Sequence, residues 1–210
     1  MNCMMLHGLG QTASSWDKTA AGMQDGFTVI CPEMSDWLRG KAPCYESLYQ
    51  GLEQACERLE GPIYLCGLSL GGMLALQYGI EHPEKVKALA LIGVQYATPR
   101  GLMRLQNMAF RLMPRSVFQQ MGWEKGDLIA LCRSMISLDF SDNLDKIRCP
   151  TLILCGEGDR ANRPAALRLS ERIEKAKLDW IPQAGHEVNR DHPAALSRKL
   201  QEFFSQANRP

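Results

Sequence analysis

The chain has 210 residues, of which 45% are hydrophobic and 22% are charged. This balance is typical of a folded globular protein and excludes collagen-like, coiled-coil and disordered chains. Lysine and arginine number 24 and aspartate and glutamate 23, so the net charge of +1 gives no indication of a nucleic-acid partner.

Cysteine positions and the lack of long apolar stretches indicate a cellular compartment. The eight cysteines lie mostly inside apolar runs, such as Ile63–Cys66 and Leu152–Cys155, and no CxxC pair occurs. We interpret them as small buried residues in a reducing compartment, and expect no metal site. Met1–Leu6 lacks the pattern of a signal peptide, and no stretch approaches about 18 consecutive apolar residues. We therefore expect a cytoplasmic protein with no membrane partner.

Short apolar runs alternate with longer segments of helical periodicity along the chain. The predicted strands are Asn2–Leu6, Phe27–Cys31, Pro62–Cys66, Val86–Ile92, Thr151–Cys155 and Lys177–Ile181. The predicted helices are Ser14–Gly22, Tyr45–Glu60, Leu70–His82, Pro164–Lys175 and His192–Gln206. Strands separated by helices predict an α/β fold, with a mostly parallel sheet of about six strands and helices on both faces.

One long segment, residues 97–148, contains no strand pattern. A structureless loop of that length is improbable in a compact domain, so we predict a helical cap inserted into a core of residues 1–96 and 149–210. Helical periodicity brings Arg104, Arg111 and Arg115 onto neighbouring positions of one face. They form either a solvated stripe or part of a lid in which Arg104 and Arg111 bind an anionic substrate.

A serine stands between a predicted strand and a predicted helix, in the sequence Gly67-Leu68-Ser69-Leu70-Gly71. The G-x-S-x-G pattern in that position is typical of a nucleophile held on a tight turn, where flanking glycines avoid Cβ clashes. The serine then lies at the carboxyl end of a parallel sheet, where ligands bind. Ser69 is therefore the candidate nucleophile.

A serine nucleophile needs a base and an acid that orients the base. His186 follows the last predicted strand and is the candidate base. Asp159 follows the strand Thr151–Cys155 and is the candidate acid, which gives the order serine, aspartate, histidine along the chain. Three other carboxyl groups remain alternatives for the acid: Glu157, Asp139 and Asp142.

The segment His7-Gly8-Leu9-Gly10 follows the first predicted strand. Where a serine occupies such a turn, an oxyanion is bound by the N–H of the next residue and by an N–H from the loop after an earlier strand. These donors are predicted to be the backbone N–H groups of Leu70 and Leu9. The alternative is that His7 and Gly8 only shape the turn.

The sequence resembles the α/β-hydrolase superfamily in five segments that span nearly the whole chain: HGLGQTASSWD, GLSLGGM, HPEKVKALALIG, CPTLILCGEGD and QAGHEVNRDHP. It looks most like the branch of small esterases, enol-lactonases and aminopeptidase-like enzymes with a helical cap. The resemblance implies the roles given above to Ser69, Asp159 and His186, and it suggests Gln11 and Trp16 as substrate-binding residues of the pocket floor.

The family usually begins with an antiparallel hairpin, whereas here the first predicted strand is the one that leads into His7-Gly8. We therefore expect the family's first two strands to be absent and the sheet to have a bare edge near Phe27–Cys31. A bare edge can pair with another chain, so the protein is expected to be a monomer or a homodimer.

The resemblance implies a serine hydrolase that cleaves a carboxylic ester or lactone of a small acyl substrate through an acyl-enzyme, without a cofactor. A serine at the nucleophile position disfavours dehalogenases and epoxide hydrolases, which use aspartate there. Two alternatives remain: the same triad could serve C–C bond hydrolysis, thioester hydrolysis or lyase chemistry, or the fold could be a non-catalytic binding module.

Overall fold

The computed structural model describes residues 1–23, 26–98, 101, 110–120 and 123–208. Within these residues six strands form one sheet: β1 Asn2–Leu6, β2 Thr28–Ile30, β3 Ile63–Leu68, β4 Val86–Ile92, β5 Thr151–Gly156 and β6 Ala176–Ile181. The strand order is β2-β1-β3-β4-β5-β6, and every neighbouring pair is parallel. The predicted six-stranded parallel sheet is confirmed.

Helices connect the strands. The α-helices that the structure describes over their whole length are α1 Asp17–Ala21, α2 Tyr45–Glu57, α3 Leu70–Glu81, α4 Arg115–Gln120, α5 Lys125–Ser134, α6 Arg163–Arg172, α7 Val188–Asp191 and α8 Pro193–Ala207. Short 3-10 helices span Ala13–Trp16, Met34–Leu38 and Ser141–Lys146. None of the helices in the described part of the chain is both long enough and apolar enough to cross a membrane.

Apolar side chains cover both faces of the sheet, which is why its strands are nearly uninterrupted hydrophobic runs. In β1, Met4 and Leu6 pack into one hydrophobic cluster, whereas Cys3 and Met5 point to the opposite face and pack into a second cluster. The second cluster is covered by α8, whose buried side chains recur at helical spacing: Leu196, Leu200, Phe203 and Phe204.

The strand order reverses direction between β1 and β3. From β1 the chain crosses to β2 on one side, and after β3 it continues through β4, β5 and β6 on the other. The loops after β1 and β3 therefore leave the sheet in opposite directions and open a crevice at the carboxyl ends of the strands. The His7-Gly8-Leu9-Gly10 segment and Ser69 lie on either side of this crevice.

The two ends of the segment between β4 and β5 lie next to each other. Ala97 and Asp139 form an antiparallel bridge, the Thr98 N–H donates to the Leu138 carbonyl (N···O 2.9 Å), and the Phe140 N–H donates to the Tyr96 carbonyl (2.8 Å). We call this pairing the neck. Helices α4 and α5 lie between its two sides, whereas the 3-10 helix Ser141–Lys146 packs against α3 and α6 of the core.

Candidate active site

Ser69 occupies the turn between β3 and α3 with φ 53° and ψ −114°. A residue with a side chain rarely adopts a positive φ, and the cost is about 1–3 kcal/mol. Backbone hydrogen bonds fix the turn, because the Ser69 N–H donates to the Ile92 carbonyl of β4 and the Ser69 carbonyl accepts from Met73 of α3 (both 2.9 Å). The hydroxyl-bearing residue is thus held in a strained conformation at the N-terminus of a 12-residue helix.

The positions of Gly67 and Gly71 on either side of Ser69 have no room for a side chain. A Cβ on Gly67 would collide with the backbone of Gly71, and a Cβ on Gly71 would collide with the backbone of Leu6 and His7. The start of α3 therefore packs directly against the ends of β1 and β3. This contact is the physical basis of the G-x-S-x-G pattern in this chain.

Asp159 and His186 are joined by a hydrogen bond of 2.7 Å between Nδ1 of the imidazole and Oδ2 of the carboxyl group. Asp159 follows β5 and His186 follows β6, and because these strands are neighbours their loops meet at one edge. The Asp159 side chain is 5% exposed and the His186 side chain 38% exposed. The acid is thus buried, while the imidazole reaches the surface of the crevice.

The alternative acids have other hydrogen-bond partners. The Glu157 carboxylate accepts from the backbone N–H of Gln183 (3.3 Å), and Oδ1 of Asp139 accepts from the Ser141 N–H (2.9 Å). Asp142 is exposed on the 3-10 helix Ser141–Lys146. Asp159 is therefore the carboxyl group of the four that the structure joins to His186.

The pKa values of the pair shift in opposite directions. The hydrogen bond from Asp159 raises the pKa of His186 above its ordinary value, although burial acts against this. Burial by itself would raise the pKa of Asp159, but hydrogen bonds from His186 and Asn162 outweigh it and lower the pKa. Each group thus favours the charged form of the other, as expected for an acid that orients a base.

The end of β4 connects this pair to the serine turn. Ser69 is hydrogen-bonded to Ile92, and the next residue, Gly93, has φ 56°. A Cβ on Gly93 would lie 3.0 Å from the imidazole of His186 and 3.2 Å from Oδ2 of Asp159. The structure therefore brings the three loops that carry Ser69, Asp159 and His186 to the same end of the same strand.

Leu9 and Leu70 lie on the two sides of the crevice. Leu70 is the first residue of α3, so its N–H has no acceptor within the helix. Leu9 is partly buried in the loop after β1, and a turn supports this loop: the Gln11 N–H donates to the Gly8 carbonyl (3.1 Å), and the Gly8 N–H donates to Oε1 of Gln11 (3.3 Å).

His7 is fully buried and forms hydrogen bonds that stabilise the same loop. The Met34 N–H donates to its Nε2 (3.2 Å), so the imidazole proton is on Nδ1, which donates to the Gly8 carbonyl (3.0 Å). Burial lowers the pKa of His7, although Glu33 nearby acts in the opposite direction. A neutral histidine with both nitrogens engaged by the backbone has a structural role in this loop.

The four predicted substrate-binding residues have different surroundings. Gln11 and Trp16 are 1% and 0% exposed, and the Gln11 side chain exchanges two hydrogen bonds with Asn189 (3.2 and 3.0 Å). Their burial favours a structural role, and contact with substrate stays a prediction. Arg111 is exposed, while Arg104 lies outside the described residues.

Three polar residues at the site have no counterpart among the predicted ones: Gln95, Asn162 and Asn189. Asn162 follows Asp159 by three residues, and Asn189 follows His186 by three residues. In the sequence they look like ordinary loop and helix-capping residues. Their significance depends on partners from distant loops, which a short motif does not contain.

A serine on a strained strand–helix turn and a hydrogen-bonded aspartate and histidine lie at the same end of a parallel sheet, which is the arrangement of a hydrolase fold. Residues 4–199 match the Alpha/beta hydrolase family, and the chain belongs to that family. The resemblance found in the sequence is thereby confirmed, and so is the prediction of a hydrolase.

Individual relatives are more distant. The chain is 29% identical to pimeloyl-[acyl-carrier protein] methyl ester esterase of Nitrosomonas europaea, over 42% of this chain and 35% of that enzyme. It is 26% identical to 2-hydroxymuconate semialdehyde hydrolase of Pseudomonas putida, over 98% of this chain and 87% of the relative. A thermophilic esterase from Thermogutta terrifontis has the same fold, with a TM-score of 0.80, 22% identity, and coverage of 100% of this chain and 91% of the other.

Proposed function

We propose that the protein is a serine hydrolase that cleaves a carboxylic ester or lactone of a small acyl substrate. The observation that carries the proposal is the 2.7 Å hydrogen bond between Asp159 and His186, at the end of the strand to which the Ser69 turn is bonded. Ser69 is the nucleophile, His186 the general base and acid, and Asp159 the residue that orients the imidazole.

The reaction proceeds in two half-reactions. Nε2 of His186 takes the proton of Ser69 as Oγ attacks the carbonyl carbon, and the N–H groups of Leu9 and Leu70 bind the resulting oxyanion. The tetrahedral intermediate expels the alkoxide, which leaves with the proton from His186, and the acyl-enzyme remains. His186 then deprotonates a water molecule, whose attack on the acyl carbon gives a second tetrahedral intermediate. This intermediate expels Oγ of Ser69, which takes the proton back from His186, and the carboxylic acid is released.

We further propose that residues 97–148 form a lid that contributes the acyl pocket. The neck supports this role because it brings both ends of the segment together next to Gln95. Gln95 is only two residues beyond Gly93, whose Cα lies against the imidazole of His186. On this proposal, exposed Arg111 is free to contact an anionic group of the substrate. The neck favours an end of the lid near residue 139, because Ser141–Lys146 packs on the core.

A second candidate is hydrolysis of a C–C bond by the same triad. It is supported by the relative named 2-hydroxymuconate semialdehyde hydrolase, which this chain matches over nearly its full length. A panel of nitrophenyl esters that differ in chain length and terminal carboxylate separates the two. Turnover of a panel ester favours the ester hydrolase. Labelling of Ser69 by a fluorophosphonate without turnover of any ester favours the second reaction.

The decisive experiment is labelling with a fluorophosphonate together with rates on the nitrophenyl esters. The wild type is expected to be labelled, and Ser69→Ala to lose both labelling and most of the rate with an unchanged fold. Ser170→Ala is the matched control, because Ser170 is partly exposed on α6 and its hydroxyl donates to the Leu167 carbonyl. A folded wild type that takes up no label, or Ser69→Ala with full activity, would contradict the proposal.

A further inference from the structure

We infer that Gln95 and Asn162 form an amide relay that fixes the carboxylate of Asp159 in the plane it needs to orient His186. Both are positioning residues, and the inference rests on the proposed function of the triad. Through the relay, Gln95 from the loop after β4 supports the pair of Asp159 and His186, which come from the loops after β5 and β6.

Asn162 holds both oxygens of the acid. Its Nδ2 lies 2.9 Å from Oδ1 and 2.8 Å from Oδ2 of Asp159, within a loop where the Asn162 and Arg163 N–H groups also donate to the Asp159 carbonyl (both 3.2 Å). Hydrogen bonds to a charged group are stronger than those between neutral groups. The carboxylate therefore has little freedom to rotate about its Cβ–Cγ bond while Asn162 is in place.

Gln95 determines which end of the Asn162 amide faces the acid. Its Nε2 donates to Oδ1 of Asn162 (2.8 Å) and to the carbonyl of Ala161 (3.2 Å). A carboxylate only accepts hydrogen bonds, so the asparagine must present Nδ2 to Asp159 and its oxygen to a donor on the other side. Gln95 is that donor, and it makes the reversed amide orientation unfavourable.

The Asn162 amide also affects the tautomer of the histidine. Nδ2 of Asn162 lies 3.1 Å from Nδ1 of His186, and both nitrogens converge on Oδ2 of Asp159. When Nδ1 carries the proton, both groups donate to the carboxylate and cannot bond to each other. Asn162 thus shares the acid's negative charge with the imidazole, and it supports a geometry in which Nε2 keeps its lone pair for the serine proton.

Three variants test the relay through kinetics. Asn162→Leu removes the donor at similar volume and is expected to lower kcat about 10–100-fold, as loss of a supporting hydrogen bond does at metal sites, with KM within about twofold. Gln95→Leu is expected to lower kcat in the same way, and the double variant to be no slower than the worse single variant, because the residues act in series. Gln50→Leu is the matched control, because Gln50 makes a comparable hydrogen bond with Glu46 on distant α2 and should keep full activity.

The pH profile separates positioning from a merely structural role. Among the described residues, the charged groups that face His186 are Asp159 and Glu187, which no relay variant changes. Asn162→Asp puts a second carboxylate beside Nδ1, so the acidic limb of kcat/KM is expected to move up by roughly one pH unit. Asn162→Ser, which keeps a donor, is expected to restore part of the kcat lost in Asn162→Leu.

A spectroscopic readout makes the test independent of the substrate. The low-field proton resonance of the His186 Nδ1–H reports the hydrogen bond to Asp159, and Gln95→Leu is expected to shift or broaden it. Wild-type kcat in Asn162→Leu and Gln95→Leu, with an unmoved limb in Asn162→Asp and an unchanged resonance, would overturn the relay alone. Full activity of Ser69→Ala and Asp159→Asn would instead overturn the proposed function.

Discussion

The position of one proton on His186 determines what the proposed site can do. Because a carboxylate only accepts hydrogen bonds, the contact with Asp159 puts the proton on Nδ1 and leaves the lone pair of Nε2 free. His7 has its proton on Nδ1 as well, but its Nε2 already accepts from the Met34 N–H. Two histidines of the same tautomer therefore have different roles, because within the described part of the chain Nε2 of His7 has a hydrogen-bond partner and Nε2 of His186 has none.

The pH dependence of the rate follows from the raised pKa of His186. The base must be neutral, so kcat/KM is expected to rise with pH through a limb that lies above the ordinary histidine value of about 6.5. Asp159→Asn should lower kcat about 10⁴-fold and move the limb to lower pH, because it removes the charge that stabilises the imidazolium. Rates measured between pH 5 and 9 test both effects. A flat profile would argue against His186 as the base.

A substitution at Gly93 tests whether the rate depends on the position of the His186 ring, because it adds a single carbon atom next to that ring. Gly93→Ala adds a Cβ 3.0 Å from the His186 ring, so the ring must move and kcat is expected to fall at least about tenfold. Positive φ should also cost about 1 kcal/mol of stability. Gly61→Ala controls for that cost, because Gly61 has φ 73° with open space around it. Equal rates in the two variants would mean that the contact with His186 is unimportant.

At the scale of elements, a buried amide pair joins the two sides of the site. Gln11 lies in the loop after β1, and Asn189 lies on α7, shortly after His186. The amide group of each side chain donates one hydrogen bond to the oxygen of the other. The loop that carries Leu9 is thus attached to the helix that follows the base.

Removal of one partner should therefore affect stability and rate together. Asn189→Leu leaves Nε2 of the buried Gln11 amide without its acceptor and is expected to cost about 1–3 kcal/mol of unfolding free energy, with a lower kcat. In the double variant Gln11→Leu/Asn189→Leu, part of the stability lost in Asn189→Leu should return, because the unpaired Gln11 amide is gone and only the Gly8 N–H loses its acceptor. Denaturant unfolding of the four proteins measures this coupling, and strictly additive losses would exclude it.

The elements themselves could be predicted from the sequence, because strands buried on both faces are short apolar runs that end at turn residues. Val86–Ile92 has the predicted bounds, and the strand predicted at Pro62–Cys66 is found at Ile63–Leu68, which continues up to the serine turn. The pairing of Asp159 with His186 was predictable from their positions after neighbouring strands. The contacts of Asn162 with Gln95 were not, because a loop asparagine looks the same whether it faces water or a carboxylate.

At the scale of the whole molecule, the cysteines report the integrity of both hydrophobic clusters. All eight are free; six are buried, and Cys31 and Cys44 are partly exposed. Burial raises the pKa of the thiols of Cys3 and Cys56 to about 12, so these two exist as unreactive thiols near neutral pH.

A thiol reagent at pH 8 is therefore expected to modify the native protein slowly, with the two partly exposed cysteines reacting first and all eight reacting in denaturant. Because five of the six buried thiols lie in the two hydrophobic clusters and the sixth, Cys132, is buried on α5, their protection measures most of the core at once. Rapid modification of more than two thiols in the native protein would contradict the packing described here.

The strained backbone at Ser69 has a consequence for attempts to stabilise the protein by changing its sequence. Its φ of 53° suits glycine better than any residue with a side chain, so a search for the most stable sequence on this fold would discard the hydroxyl. Consensus or computational redesign aimed only at thermal tolerance would select against the proposed chemistry at this position. At this position the serine lowers stability and supplies the proposed nucleophile.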